Sequence, residues 1–283
     1  MHVDDRSPSR FALVGPGRAG TALSLALVAR GWQATAVAGR SPDDRSTRNA
    51  AIALGAPAVP VEHAGRDAEV VVVATPDAAI AAATAALAPT LRAGALVLHV
   101  SGARSLREFD ELVVIRPDVE VGSLHPLQTL PSGEVGQARL AGSWCAVDGP
   151  TERMERLALT LGMRPFHLDV DHRVVYHAAA CVASNHLVAL LGQVERLAQA
   201  AGLPLAAFLP LVRATLDNVD ELGAAAALTG PVARGDAATV AAHIDALPDQ
   251  ERDAYRALAA AALRLTEHDD ADLRSLVEGA LAS

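Results

Sequence analysis

Residues 11–20 read FALVGPGRAG, and the fold of this stretch governs how the rest of the chain is read. An apolar run, 11–14, breaks into Gly15, Gly17 and Gly20 in the pattern G-x-G-x-x-G, and helix-forming residues follow over 21–30. A strand, a tight glycine turn and a helix N-terminus together cradle a pyrophosphate. The first glycine permits the turn, the second lets backbone approach the phosphates, and the third allows close helix–strand packing. The helix start adds unpaired N–H groups and the positive end of its dipole. Gly15, Pro16, Gly17, Arg18 and Gly20 are therefore the expected dinucleotide contacts. Glycine-rich turns are common in alanine-rich chains, so the motif takes its weight from the strand before it and the helix after it.

The next strand, QATAVA at 33–38, ends in Gly39-Arg40-Ser41. An NAD site usually carries Asp or Glu near this point for the ribose hydroxyls. Here Arg40 and Ser41 stand instead, and an arginine pairs with a 2′-phosphate through charge-assisted bonds of roughly 1.5–3 kcal/mol each. This favours NADP(H) over NAD(H); the alternative is a solvated arginine after a strand.

Strand and helix patterns alternate onward. A helix is expected over 47–54, a short strand near 58–61, and a β-branched strand over 69–74 that runs into Thr75-Pro76-Asp77. Asp77 can cap the helix 78–87, and Thr75 and Pro76 are placed to line a nicotinamide riboside. Further strands are expected over 94–100, 112–115, 143–147 and 164–168, with Thr151 capping a helix over 152–161. The alternation predicts an α/β class fold, a doubly wound (Rossmann) parallel sheet over 10–168 after a loose tail at 1–9. From 169 to 283 the pattern is helical throughout, with helices over 174–200, 211–227, 237–246, 249–264 and 269–281, so a second, all-helical domain is expected.

Several polar residues are candidates for chemistry. Ser101 falls where the strand 94–100 ends, or is a plain turn residue. His125 lies in SLHPLQT, where Pro126 excludes helix and makes the histidine extended and loop-borne. A histidine near pKa 6.5 suits proton transfer to or from a carbonyl–alcohol pair. On the long helix His177, Cys181 and Asn185 share one face at i, i+4 and i+8, with Ser184 beside them. They either look into a cleft or bond neighbouring helices. Arg234 and Asp236, in TGPVARGD, could hold a substrate carboxylate and order their loop, or form a surface ion pair.

Composition narrows the function classes. A net charge of −9 argues against a nucleic-acid binder, which would show a basic face. The chain has no lysine, so no Schiff base and no lysine acid is available to it. Two distant cysteines, Cys145 and Cys181, suit a reduced, cytoplasmic protein without disulfide or zinc, and no metal site is expected. The polar N-terminus lacks a signal h-region, and no membrane span is expected.

The segments GPGRAG, VVVATPD, HVSGA, SLHPLQT, DHRVVYHAAACVASNHLVAL and TGPVARGD together resemble an uncharacterised family that pairs a Rossmann-like domain with a helical C-terminal domain of unknown function. In layout it is similar to pyrroline-5-carboxylate reductase, ketopantoate reductase and the β-hydroxyacid dehydrogenases, with a helical half like the C-terminal domain of 6-phosphogluconate dehydrogenase. The resemblance implies an NADP-dependent oxidoreductase with its site between the domains and a homodimer formed by the helical half. β-Hydroxyacid dehydrogenases place a catalytic lysine four residues before an asparagine; Asn185 matches that asparagine, but Cys181 stands in the lysine position. The His-Pro of SLHPLQT, with Ser101 upstream, is similar to the histidine and serine of prephenate dehydrogenases. That makes His125 the acid/base, helped by Ser101 or His177, and Asn185 and Ser184 the orienting groups. The expected function is hydride transfer to or from a small carboxylate-bearing carbonyl, imine or alcohol; the alternative is a non-catalytic NADP-binding sensor or scaffold. An enclosed polar pocket would separate the two.

Overall fold

A computed structural model describes residues 9–266 and 270–278. The expected tail lies outside the described residues, apart from Ser9, whose carbonyl accepts the N–H of Gln33. By packing, the chain forms two compact units, Met1–Asn185 and His186–Ser283.

The first unit is built on a seven-stranded sheet in the order β2-β1-β3-β4-β5-β6-β7. The strands are β1 (Arg10–Val14), β2 (Gln33–Ala38), β3 (Val70–Val73), β4 (Leu96–His99), β5 (Glu120–Pro126), β6 (Trp144–Asp148) and β7 (Arg164–His167). Strands β1 to β5 run parallel, as the alternating pattern predicts. β6 runs antiparallel to β5, with His125 opposite Ala146, and β7 runs parallel to β6. Side-chain alternation explains why the central strands are apolar at every position. Phe11, Leu13, Val70, Val72, Leu96 and Leu98 form one core, while Ala12, Val14, Val71, Val73 and Val97 join another on the opposite face. Each face is covered by helices, and burying both stabilises the fold by roughly 25 cal/mol for each Å² of apolar surface removed from water.

Several sequence expectations need correction. Residues 112–115 are not a strand: they end the helix Asp110–Ile115. Only Leu112 of that segment is buried, and Val114 is 81% exposed, so there was no sheet face for its β-branched residues to fill. Residues 58–61 give one bridge, Val37 to Ala58, before the turn of helix Val61–Ala64. Asp77 and Thr151 do not cap with their side chains; Asp77 instead approaches Arg104 at 3.7 Å, and Pro150 holds the cap position before Thr151. His125 is extended as Pro126 requires, but it belongs to strand β5 rather than a loop.

The first unit also runs past 168, where sequence ends the sheet domain. Helix Arg173–Cys181 is tied to the sheet by Arg173, whose guanidinium is buried against Ser123 and Ser101. After Cys181 the helix makes a π-turn, Val182–His186, before helix Leu187–Ala200. Such single turns widen the backbone and are common beside functional sites.

The second unit is helical among its described residues. Helices Ala237–Ala246, Asp249–Leu263 and Ala271–Glu278 bury Val240, Ile244, Ala260, Leu263 and Leu273 against one another. Arg196 clasps the buried Glu251 carboxylate at 2.5 and 3.1 Å, and Gln193 donates to the Glu251 carbonyl. The expected helix 211–227 is two, Leu209–Leu222 and Ala224–Ala227, divided by Gly223 at φ +78°. Helix Leu209–Leu222 buries no residue and exposes Leu211, Leu216 and Leu222. The run Val170–Ala200 is long and apolar enough, by length and composition alone, to cross a membrane, and its most apolar window is wholly unburied.

Candidate functional site

The carboxyl ends of β1 and β3 flank the point where the strand order reverses, which is where open α/β sheets bind ligands. Gly15 follows β1 with φ +88°, and an added Cβ would lie 2.6 Å from the Ala74 carbonyl carbon and the Thr75 nitrogen. Only glycine fits there. Gly17 precedes helix Arg18–Val28 and faces open space. At this edge lies a cavity of about 740 Å³, lined by Gly15, Pro16, Gly17, Arg40, Thr75 and Pro76. Helix residues Ala79, Ala82, Ala83 and Ala86 give it an apolar wall. The Thr75 hydroxyl is buried without a hydrogen-bond partner, an unmet donor in the cavity wall. A glycine cradle, a helix N-terminus, a free hydroxyl and an arginine fit a phosphorylated dinucleotide.

The other expected cofactor residues lie around that cavity. Gly20 is buried under the turn. Arg18 opens onto a neighbouring hollow with Asn49 and Glu134, and the Ser41 hydroxyl accepts the Asp43 N–H. Asp44 and Ser46, which sequence reasoning missed, also line the main cavity. Their position at the start of helix Arg45–Leu54, just past Arg40, was the available signal.

A second cavity, about 450 Å³, lies in the same unit beside the end of β5. It gathers His125, His177, Cys181, Ser184 and Asn185, bringing the helix face and the His-Pro segment to one cavity. The residue sequence reasoning missed is Tyr176. Its hydroxyl is 2.8 Å from His125 Nδ1, and its ring meets Phe166 edge-on. A tyrosine immediately before His177 was the only sequence signal. His177 Nδ1 lies 4.0 Å from the Cys181 sulfur.

Of the two readings open for Ser101, the structure shows the turn residue. Its hydroxyl accepts the backbone N–H groups of Ala103 and Arg104, closing a turn, so His125 takes Tyr176 as partner instead. The next residue, Gly102, is what brings this turn to the histidines. A Cβ at 102 would lie 2.6 Å from His177 Cδ2 and 2.8 Å from His125 Nε2.

Beneath the cavity is a sealed layer. Arg173, 1% exposed, donates to Ser123 Oγ at 2.6 Å and to the Ser101 carbonyl at 3.3 Å, and lies 3.6 Å from Asp148. Burial lowers the Arg173 pKa, opposed by Asp148. His99 accepts the Ser101 N–H at Nδ1, which leaves its Nε2 proton for the Ser105 carbonyl. Burial first, then the Arg173 charge, pushes His99 down to about 4. His125 is also pushed down to about 4, by burial, then His177 and Arg173. The expectation of a histidine near 6.5 is thus corrected: desolvation, then the proximity of His177 and the Arg173 charge, disfavours the imidazolium. Tyr176 is raised to about 12, chiefly by burial, and keeps its proton.

Arg234 and Asp236 belong to the second unit. Asp236 caps helix Ala237–Ala246 through the N–H and hydroxyl of Thr239, at 3.0 and 2.7 Å, so it orders its loop. No group of three or more His, Cys, Asp or Glu among the described residues is arranged to hold a metal ion.

Residues 4–125 match the Rossmann-like domain family, and residues 143–262 match the domain of unknown function DUF2520. No curated protein matches the chain. Among solved structures it is similar to a candidate NADP oxidoreductase, BF3122, from Bacteroides fragilis: 24% identity, TM-score 0.79, covering 91% of this chain and 98% of that one. It is also similar to a pyrroline-5-carboxylate reductase from Coxiella burnetii, at 14% identity and TM-score 0.58, covering 93% and 100%. A reductive aminase from Aspergillus terreus in complex with NADPH and ethyl levulinate gives 16% identity and TM-score 0.59, covering 98% and 94%. At these identities the likeness is one of fold.

Proposed function

Starting from a chain that pairs a Rossmann-like domain with a DUF2520 domain, we propose that this protein is an NADP(H)-dependent oxidoreductase acting on a small carbonyl, imine or alcohol. The observation that carries this reading is the 740 Å³ cavity, where the Gly15–Gly17 cradle, the unpartnered Thr75 hydroxyl and Arg40 line one surface. Gly15 and Gly17 would hold the pyrophosphate and Arg40 the 2′-phosphate, with Thr75 and Pro76 against the nicotinamide riboside. The BF3122 and reductive aminase structures, named for NADP and NADPH, lend support by analogy of fold.

Bound NADP(H) would supply or accept the hydride. The chain's own part is orientation and proton handling in the 450 Å³ cavity. The polar groups set into its otherwise apolar lining, His125, Tyr176, Ser184 and Asn185, support an enzyme over a sensor or scaffold, which needs no such groups. Asn185 and Ser184 would orient the substrate, and His125, hydrogen-bonded to Tyr176, would pass the proton; a positioned acid or base contributes about 10²–10⁴ in rate. Titrating the protein with NADPH and NADH, followed by nicotinamide fluorescence, tests the cofactor. Tight NADPH and weak NADH binding is the expected result, and no binding of either rejects the reading.

The apolar faces of helices Leu187–Ala200 and Leu209–Leu222 support a second proposal, a homodimer through the helical half. Val188, Leu211, Leu216 and Leu222 are each at least half exposed, apolar side chains of the kind that a second copy would cover. Sedimentation should give a dimer, and Leu216→Glu should shift it toward monomer.

A further inference from the structure

We propose that the cavity beside His125 takes an uncharged carbonyl compound, its oxygen held by the Tyr176 hydroxyl and its apolar body laid against Leu127 and the alanines at 179, 180 and 183. This rests on the oxidoreductase reading above and differs from the carboxylate-bearing substrate that sequence expects. The cavity's polar groups are hydroxyls, amides, a thiol and imidazoles: Thr129, Ser184, Gln128, Asn185, Cys181 and the two histidines. No carboxylate and no guanidinium is among the residues lining it. The near cation, Arg173, is sealed at 1% exposure, and its Nη groups already serve Ser123 and Ser101. Burial, His177 and Arg173 keep His125 neutral at neutral pH, so it offers no countercharge either. The lining thus holds no fixed cation, and a carboxylate entering this space would shed water with only the His177 imidazole as a possible partner, which is unfavourable. A neutral carbonyl loses far less on desolvation and gains a hydrogen bond.

The donor for that bond is the Tyr176 phenol in the tautomer that carries the His125 proton on Nδ1. Tyr176 lines the cavity, and its oxygen sits 2.8 Å from His125 Nδ1. With the Nδ1 proton directed at the tyrosine oxygen, the phenol proton is free for a ligand, and Tyr176 keeps that proton because burial raises its pKa to about 12. Asn185 and Ser184, one turn past Cys181, add neutral donors on the same wall. Gly102 leaves clear the space at His125 Nε2 that any side chain there would fill.

The test uses the full chain and a matched pair of probes, 4-methylcyclohexanone and 4-oxocyclohexanecarboxylate, which share a ring and ketone and differ in charge. Binding is measured by calorimetry and by saturation-transfer NMR, with and without NADP⁺. The neutral ketone should bind about tenfold or more tighter than the carboxylate, and Tyr176→Phe should weaken it about five- to tenfold, the loss of one neutral hydrogen bond. Should Tyr176→Phe misfold, Leu127→Arg gives an independent reading: a guanidinium at the rim should reverse the preference toward the carboxylate. Equal or tighter binding of the carboxylate to the unaltered chain, binding of neither probe, or an unchanged ketone affinity in folded Tyr176→Phe overturns the proposal. Failure of the cofactor titration would instead overturn the oxidoreductase reading, and the probe preference of the cofactor-free chain is read separately from it.

Discussion

The Tyr176 hydroxyl lies 2.8 Å from Nδ1 of His125 across 51 residues of sequence, joining the helix that follows the sheet to the end of its fifth strand. The two rings meet edge-on, with centroids 5.6 Å apart, and the His177 ring lies 5.9 Å from that of His125. The arrangement places a neutral imidazole beside both a protonated phenol and a second histidine. Proton handling at this site therefore belongs to a group of side chains rather than to one histidine.

Acid should weaken the fold through two of these histidines. His99 and His125 both titrate near 4 in the folded chain, below the ordinary value of 6.5. The unfolded chain therefore binds more protons between pH 4 and 6.5, and stability rises with pH across that window. Each histidine contributes a slope of at most about 1.4 kcal/mol per pH unit. Urea midpoints measured from pH 7 to 5 should fall, and His125→Asn should flatten the decline. An unchanged slope in that variant would show that His125 titrates normally.

Arg40→Ala should weaken NADPH binding by about 10- to 100-fold, the loss of one charge-assisted contact, and leave NADH nearly unaffected. Parallel fluorescence titrations check this. Equal losses for the two cofactors would remove Arg40 from the 2′-phosphate site.

Gly102→Ala should cost about 1–3 kcal/mol in denaturant unfolding, because the new methyl must displace His125 or His177. The ¹⁵N resonances of His125 should shift in the same variant. A silent substitution would mean that the turn at 102 stands farther from the histidines.

The two thiols should differ in reactivity. Cys145 is fully buried, and burial pushes its pKa up to about 12, whereas Cys181 lines the cavity. Ellman's reagent should titrate one thiol in the native protein and a second only after unfolding. Cys181→Ser should abolish the native reaction.

Much of the frame is legible in residues 11–20 and in the strands that follow, because local rules act on contiguous residues. A G-x-G-x-x-G turn between an apolar run and a helix specifies the cradle, and the continuous β-branched residues of β3 announce a strand covered on both faces. The segment 112–115 misleads for the same reason: Val113, Val114 and Ile115 have strand character, but no neighbouring strand is there to pair with them. Only the sheet order could reveal that β6 turns antiparallel.

The candidate site divides in the same way. Sequence alone determined the dinucleotide cradle, the Arg40 position, the extended backbone at His125 and the shared face of His177, Cys181 and Asn185, since each follows from spacing or from a neighbour's stereochemistry. Only the tertiary structure decided that Tyr176 is the partner of His125, that Ser101 closes a turn, and that Arg173 lies sealed beneath the cavity. Desolvation and long-range contact set these relationships, and both depend on which distant segments fold against each other. The same burial that hides Arg173 holds His125 neutral, which residue types and their order do not encode.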